Sequence, residues 1–103
     1  RLRLAEESLH AGDFQQAAEL YRSGLRGHYA TDPHLMLGLA RAQFGLELPA
    51  ETRRTLEELI AANPDFRSAD GHLLYARALD GCGDTDRALE EYEAVTQGFP
   101  GEE

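Results

Sequence analysis

The sequence has a single cysteine, no lysine and, among its 103 positions, no apolar run of the roughly 18 residues that a transmembrane helix requires. One cysteine excludes a disulfide within the chain, and no histidine–aspartate pattern around Cys82 indicates a catalytic thiol. Without lysine no phosphate-binding loop of the G-x-x-x-x-G-K type can exist, and no G-x-S-x-G motif is present. We therefore expect a protein that is not an enzyme and that holds no cofactor.

Basic residues are also few: ten arginines stand against nineteen aspartates and glutamates, which gives a net charge of −9. The excess is uneven, because residues 49–103 carry −8 and residues 1–48 carry only −1. Phosphate backbones and anionic membrane surfaces would be repelled by the acidic half. We expect a protein or peptide as partner, no nucleic acid and no direct membrane contact by this segment.

Targeting signals are missing as well, since no signal-peptide pattern occurs. The chain opens on Arg1 instead of methionine, so we expect a piece processed or excised from a longer protein that can include an anchor. The sequence therefore does not identify the compartment, and the cytoplasm is the default expectation.

Strand signals are scarce, whereas apolar residues recur at helical spacing in six segments. Asp13, Asp32 and Asp84 are candidate caps at helix starts, Pro49 opens another helix, and a fifth helix is expected to begin near Ser68. Helices this short are marginal alone, so they must pack on one another as antiparallel hairpins. The residues expected to face inward in successive helices are Leu2, Leu4, Ala5 and Leu9; Phe14, Ala17, Tyr21 and Leu25; Leu37, Ala40 and Phe44; Thr52, Leu56, Leu59 and Ile60; Tyr75, Ala76 and Leu79; and Ala88, Leu89, Tyr92 and Val95.

Two stretches repeat one another: HAGDFQQAAELY at 10–21 and GCGDTDRALEEY at 81–92. Each has Gly-Asp, an alanine five residues after the glycine and a tyrosine nine after it. Aligning the turn glycines Gly12, Gly45 and Gly83 gives three units at spacings of 33 and 38 residues, with extra residues expected in 46–49 and 65–68. This alignment places small residues where paired helices cross: Ala5, Gly38 and Ala76 in the first helices, and Ala17, Thr52 and Ala88 in the second.

With these residues the chain resembles the tetratricopeptide repeat family, whose repeats are about 34 residues long. The resemblance covers nearly the whole chain and implies an all-α fold, a right-handed α-solenoid of three antiparallel helix–turn–helix repeats. The expected single domain, 1–103, divides at about 1–31, 32–65 and 66–100, with 101–103 as the start of a truncated continuation. A generic array of helical hairpins is the alternative.

The family resemblance also implies a function: a non-catalytic scaffold that presents a concave groove to a peptide or a partner helix. Carried over one position at a time, the family's groove positions fall on nine residues: Glu6, Leu9, His10, Leu35, Leu39, Gln43, Leu73, Arg77 and Asp80. Leucines flanked by charged groups would suit an apolar side chain or an amphipathic helix. Alternatively, these leucines only pack beneath residues outside this segment.

A second hypothesis is a structural element that forms homo-oligomers through exposed faces of its terminal repeats, since end repeats normally need polar outer surfaces. Residues 99–103 look like the start of a further repeat, so an apolar face is expected there.

The four histidines have no partner one helical turn away, so no metal site is expected. The pairs Glu57-Glu58 and Glu90-Glu91 are adjacent in sequence and are interpreted as solvated surface.

Overall fold

The structure of the protein is a computed structural model that describes residues 2–98, and within that range it contains only helices and their connections. The six α-helices are α1 Leu2–His10, α2 Phe14–Gly24, α3 Pro33–Gly45, α4 Pro49–Ala62, α5 Ala69–Gly81 and α6 Thr85–Gly98. Successive helices pack against each other as three antiparallel hairpins, α1–α2, α3–α4 and α5–α6, stacked in chain order. The expected all-α hairpin array is confirmed, while the expected continuation at 99–103 and the side chain of Leu2 lie outside what the structure describes.

Side-chain caps fix three of the helix starts at the places that the sequence predicts. The carboxylate of Asp13 accepts a hydrogen bond from the Gln16 amide, and Asp32 accepts two at the start of α3. The Ser68 hydroxyl accepts from the Gly71 amide at the start of α5. A short 3₁₀ turn, Gly27–Tyr29, which the sequence pattern did not indicate, lies between α2 and α3. No helix within residues 2–98 has the length and apolarity needed to cross a membrane.

The turns inside the three hairpins have one backbone design, with a positive φ at Gly12, Glu47 and Gly83. In each turn this residue's N–H donates to the carbonyl three residues back, and the next N–H donates to the carbonyl five residues back. The equivalent turn positions are therefore 35 and 36 residues apart (12 to 47 and 47 to 83). The alignment on Gly45 is wrong by two residues, since the second turn uses a non-glycine residue and is no longer than the others.

Gly45 instead serves the contact between hairpins, together with Gly38 and Gly81. A Cβ at Gly38 would overlap the Tyr21 ring of the preceding hairpin, and one at Gly45 would overlap the ring of Phe14. At Gly81 a Cβ would lie 2.9 Å from the Cβ of Pro49. We call the contact of α2 with α3 the first junction and that of α4 with α5 the second junction. At the first junction Phe14, the first residue of α2, lies against Gly45, the last residue of α3. At the second junction Pro49, the first residue of α4, lies against Gly81, the last residue of α5.

The corrected register also identifies the small residues where the paired helices cross. Ala40, not Gly38, is equivalent to Ala5 and Ala76, and all three are at most 1% exposed. In the second helices the small residues are the ones that the sequence predicts, and all three are also at most 1% exposed: Ala17, Thr52 and Ala88. Close helix crossing in every hairpin thus depends on side chains no larger than threonine.

Buried apolar residues form two clusters along the stack, one centred on the first hairpin and its contact with α3, the other on the second and third hairpins. Three residues expected to face inward are exposed instead: Leu4 by 48%, Ile60 by 44% and Leu89 by 57%. Leu4 lies on the first helix and Leu89 on the last helix of the described stack, where no further described helix covers them. The expected burial of these three residues is therefore wrong.

Candidate partner-binding face

The first helix of each hairpin lies on the inner side of the stack. Direct contacts join α1 to α3 and α3 to α5, whereas among residues 2–98 the second helices α2, α4 and α6 make no comparable contacts with one another. Helices on the inner side of a curved stack approach each other more closely than those outside, as repeat stacks with a concave surface require. We therefore examine α1, α3 and α5 as the candidate binding face, and call it the inner face.

Equivalent positions on these helices form two rows across the inner face once the turns at 12, 47 and 83 are aligned. One row holds Glu6, Arg41 and Arg77, which are all exposed. The second row holds Leu9, Phe44 and Asp80, of which the first two are half-buried and the third is exposed. The accessible part of the inner face is thus a mixture of apolar and charged side chains of both signs.

Two residues predicted to line the groove are buried and cannot do so. Leu39 is 8% exposed and belongs to the cluster around the first hairpin. Gln43 is 5% exposed, and its Oε1 accepts a hydrogen bond of 2.7 Å from the Thr55 hydroxyl of α4. The cause is the two-residue register error in the middle hairpin, since a shift of two residues replaces Leu39 by Arg41 and Gln43 by Gly45.

The other seven predicted residues are distributed over the inner face and its edges. Glu6 and His10 are exposed on α1, and Leu9 is half-buried beside them. Leu35 is half-buried at the first junction, where it lies close to Gly24 of α2. On α5, Leu73 is half-buried, and both Arg77 and Asp80 are exposed.

Arg77 and Asp80 contribute to a cleft of about 420 Å³ between the ends of α3 and α5. Its remaining lining residues are Phe44, Glu47, Pro49, Gly81 and Tyr92. An aromatic ring, a guanidinium and a carboxylate therefore converge on one depression. Such a site can hold an apolar side chain and bind the charged or backbone polar groups on either side of it.

Electrostatic contacts also connect the helices of the inner face. Arg41 of α3 forms an ion pair with Asp70 of α5, with 3.6 Å between Nη2 and Oδ2; the Arg41 side chain is 42% exposed and that of Asp70 79%. Burial raises the pKa of Tyr21, the Glu6 carboxylate raises it further and Arg41 lowers it. Tyr21 therefore senses charges of opposite sign on α1 and α3, although it belongs to an outer helix.

A second cleft, of about 390 Å³, opens where α1, α2 and the start of α3 meet. Its lining includes Leu20, Leu35, His34 and the exposed ring of Tyr29. Sequence reasoning missed Arg41 and Phe44 on the inner face and Tyr29 in this cleft. The first two could have been found by aligning the starts of α2, α4 and α6, which share the spacing of the turns.

Comparison with protein families matches residues 8–69 to the family described as tetratricopeptide repeat. The match begins in α1, spans α2, α3 and α4, and ends at the start of α5, so it covers more than half of the chain. No curated protein and no solved structure matches the chain in the corresponding comparisons. The matched segment includes the middle hairpin, where the sequence pattern is least regular.

Proposed function

The chain belongs to the tetratricopeptide repeat family, whose members are in general protein–protein interaction scaffolds, and from that premise we propose that its inner face binds a peptide segment of a protein partner. The cleft between α3 and α5 is the centre of the proposed site. The observation that carries this proposal is the convergence of Phe44, Arg77 and Asp80 on that cleft.

The charges of the inner face favour a peptide of mixed sequence over a strongly charged one. Charges of both signs are present with a small acidic excess, since the exposed acids Glu6, Glu47, Asp70 and Asp80 outnumber Arg41 and Arg77 by two. Exposed ion pairs contribute only about 0–1 kcal/mol each. Burying one large apolar side chain contributes about 1.5–3 kcal/mol. An apolar anchor placed on Phe44 therefore supplies most of the affinity, and the flanking charges fix the direction of the peptide.

The proposal is tested by selecting peptides from a displayed random library on the wild-type protein and measuring their affinities by calorimetry. Reversing the charge of Arg77 with Arg77→Glu is expected to weaken binding by about tenfold or more, as for the central residues of other interfaces. The matched control is Arg54→Glu, the same charge reversal on the exposed surface of α4, which is expected to leave the affinity unchanged.

Mapping the selected peptides by NMR chemical-shift changes supplies an independent readout. We expect the largest changes on α3 and α5, at Arg41, Phe44 and Asp80. Peptides that shift only residues of α2 or α4, or that lose equal affinity to Arg77→Glu and to Arg54→Glu, would contradict the inner face as the binding site.

A further inference from the structure

The outer side of α6 repeats a surface that is covered elsewhere in the molecule. In register with the turns, Thr85, Leu89 and Tyr92 of α6 are equivalent to Phe14, Ala18 and Tyr21 of α2. On α2 this surface is covered by α3, so Ala18 is 0% and Tyr21 3% exposed. On α6 the same surface has no covering helix among residues 2–98, so Leu89 is 57% exposed and Tyr92 is half-buried. We call Thr85, Leu89, Tyr92 and Thr96 the α6 face.

The two junctions show what kind of helix fits such a surface. Where α2 presents Tyr21, the covering helix has Gly38, and a Cβ there would overlap the ring. Where α4 presents the smaller Leu56, the equivalent residue of the covering helix is Leu74, which lies in the same apolar cluster. The size of the covering residue thus compensates the size of the residue beneath it. Since Tyr92 is aromatic like Tyr21, a helix seated on the α6 face needs glycine at that crossing.

Charge distinguishes the α6 face from the two covered surfaces. Beside Leu89 on α6 stand Asp86, Glu90 and Glu93, all exposed and without an ion-pair partner among residues 2–98. The positions equivalent to these acids are Gln15, Glu19 and Arg22 on α2, and Ala50, Arg54 and Glu57 on α4. Both of those sets sum to zero charge, whereas the edge of the α6 face carries −3. Among residues 2–98 the covering helices lie over neutral edges, and the acidic edge of the α6 face is complementary to a basic helix.

We propose that the α6 face binds a basic amphipathic helix of a partner protein, with a glycine over Tyr92, apolar contacts to Leu89, and lysine or arginine side chains along the edge of Asp86, Glu90 and Glu93. Tyr92 also lines the inner-face cleft, so the α6 face adjoins the proposed inner-face site, but Leu89 and the acids Asp86, Glu90 and Glu93 do not line that cleft. A second copy of this chain is a poorer occupant, because the exposed first helix, α1, holds Arg3 and His10 but also Glu6 and Glu7.

The probe for this proposal is a side-chain-stapled helical peptide with the sequence of residues 33–45, since that helix covers the equivalent surface of α2. Its solvent-facing positions are replaced by lysine, and the glycine corresponding to Gly38 is kept. Two matched peptides carry either glutamate in place of lysine or leucine in place of the glycine. We expect the lysine–glycine peptide to bind about tenfold or more tightly than either matched peptide, and its affinity to fall as salt rises.

Variants of the full chain test whether the lysine–glycine peptide binds at the α6 face. Leu89→Ser and the double variant Glu90→Arg with Glu93→Arg are expected to abolish the preference for the basic peptide. The controls are Leu4→Ser, a leucine of similar exposure at the opposite end of the stack, and Glu58→Arg on α4. Because all of these side chains are exposed, circular dichroism should show folding like that of the wild type.

Three outcomes would overturn the proposal. The first is no measurable binding of the lysine–glycine peptide, and the second is equal binding of the three peptides. The third is sedimentation of the protein alone as an oligomer that Leu89→Ser dissociates, since the α6 face would then be an interface between copies. A loss of selected-peptide binding in Arg77→Glu bears on the inner face only, so failure of either proposal is distinguishable from failure of the other.

Discussion

The first and second junctions join equivalent pairs of helices with different chemistry. At the first, two aromatic side chains of α2, Phe14 and Tyr21, lie against glycines of α3. At the second, the side chains of α4 are smaller, and only the proline that begins α4 lies against a glycine. The second junction adds polar contacts that the first lacks among the described residues. The hairpins thus stack in the same way at both junctions but through different contacts. Aromatic rings pack on glycine backbone at the first junction, and aliphatic side chains pack beside a polar network at the second.

The polar network of the second junction is centred on Tyr75 of α5. Its hydroxyl donates to Oε2 of Glu57 at 2.9 Å and accepts from Nη2 of Arg87 at 3.1 Å. Arg53 donates to the same Glu57 oxygen at 3.1 Å, and Cζ of Arg87 lies 5.9 Å from the centroid of the Tyr75 ring. Helices α4, α5 and α6 are therefore joined by charge-assisted hydrogen bonds that meet at the hydroxyl of Tyr75, whose side chain belongs to the apolar cluster.

The largest expected effect comes from giving the first junction a residue of the second. Gly38→Leu introduces the side chain found at Leu74, and the Tyr21 ring leaves no room for it. We expect a loss of about 3 kcal/mol in the free energy of unfolding, from urea titration, as for severe overpacking of a core.

The companion variant decides whether size matching is the cause. Combining Gly38→Leu with Tyr21→Leu reproduces the Leu56–Leu74 combination and should recover part of the lost free energy. Strict additivity of the two single losses would show that the ring and the glycine are not coupled.

A smaller effect is expected from removing single hydroxyl groups at the two junctions. Tyr75→Phe removes two hydrogen bonds and should lower the free energy of unfolding by about 1 kcal/mol. Tyr21→Phe should cost less, because the Tyr21 hydroxyl makes no hydrogen bond with other residues in 2–98. Thermal unfolding of the two variants in parallel measures the difference, and equal losses would contradict the assignment of the network to the second junction.

The turns of the first and second hairpins supply the next comparison, since Gly12 and Glu47 have the same backbone conformation. A left-handed residue with a Cβ costs roughly 1 kcal/mol relative to glycine. Glu47→Gly should therefore raise the free energy of unfolding by about 0.5–1 kcal/mol, measured by urea titration. Glu47→Ala removes the charge but keeps the Cβ and is the control. A gain in Glu47→Ala as large as that in Glu47→Gly would assign the effect to charge instead of backbone strain.

The smallest effect is a dependence on acid pH that belongs to the second junction. The hydrogen bond from Arg53 holds the pKa of Glu57 below its ordinary value, and Tyr75 and Arg87 lower it further. A lowered pKa contributes stability above the unfolded-state pKa, and that stability is lost as pH falls through the folded-state value. Since the Glu57 side chain is 44% exposed, we expect less than about 0.5 kcal/mol. Urea titrations at neutral and acid pH should show this loss in the wild type and not in Glu57→Gln.

The sequence was sufficient to predict the helices, because their starts depend on local chemistry. Asp13, Asp32 and Ser68 cap helices through hydrogen bonds within three residues, and such contacts can be inferred without the tertiary fold. The small residues in the outer helices, Ala17 and Ala88, were also placed correctly. The pattern of three hairpins follows from these signals together with the apolar spacing.

The turn glycines alone could not give the register of the middle hairpin, because glycine has two physical roles in this chain. At position 12 it permits a positive φ, and at position 45 it makes room for the Phe14 ring. The sequence does not distinguish these two roles of glycine. The second turn has Glu47 at the position with positive φ, so no glycine marks that position. The error put Leu39 in place of Arg41 on the expected inner face and left Phe44, the equivalent of Leu9 and Asp80, out of it.

The buried pair formed by Gln43 and Thr55 has a consequence for the specificity of folding. Packing of α3 against α4 leaves Gln43 5% and Thr55 7% exposed, so each of these polar side chains needs a hydrogen-bond partner inside the protein. In the native alignment of α3 with α4 the Thr55 hydroxyl donates to Oε1 of the Gln43 side chain. An alignment that separated these two groups would leave both buried without a hydrogen bond, at a cost of about 1–3 kcal/mol each. This hydrogen bond therefore favours the native alignment of α3 with α4, in the hairpin whose sequence is the least regular of the three.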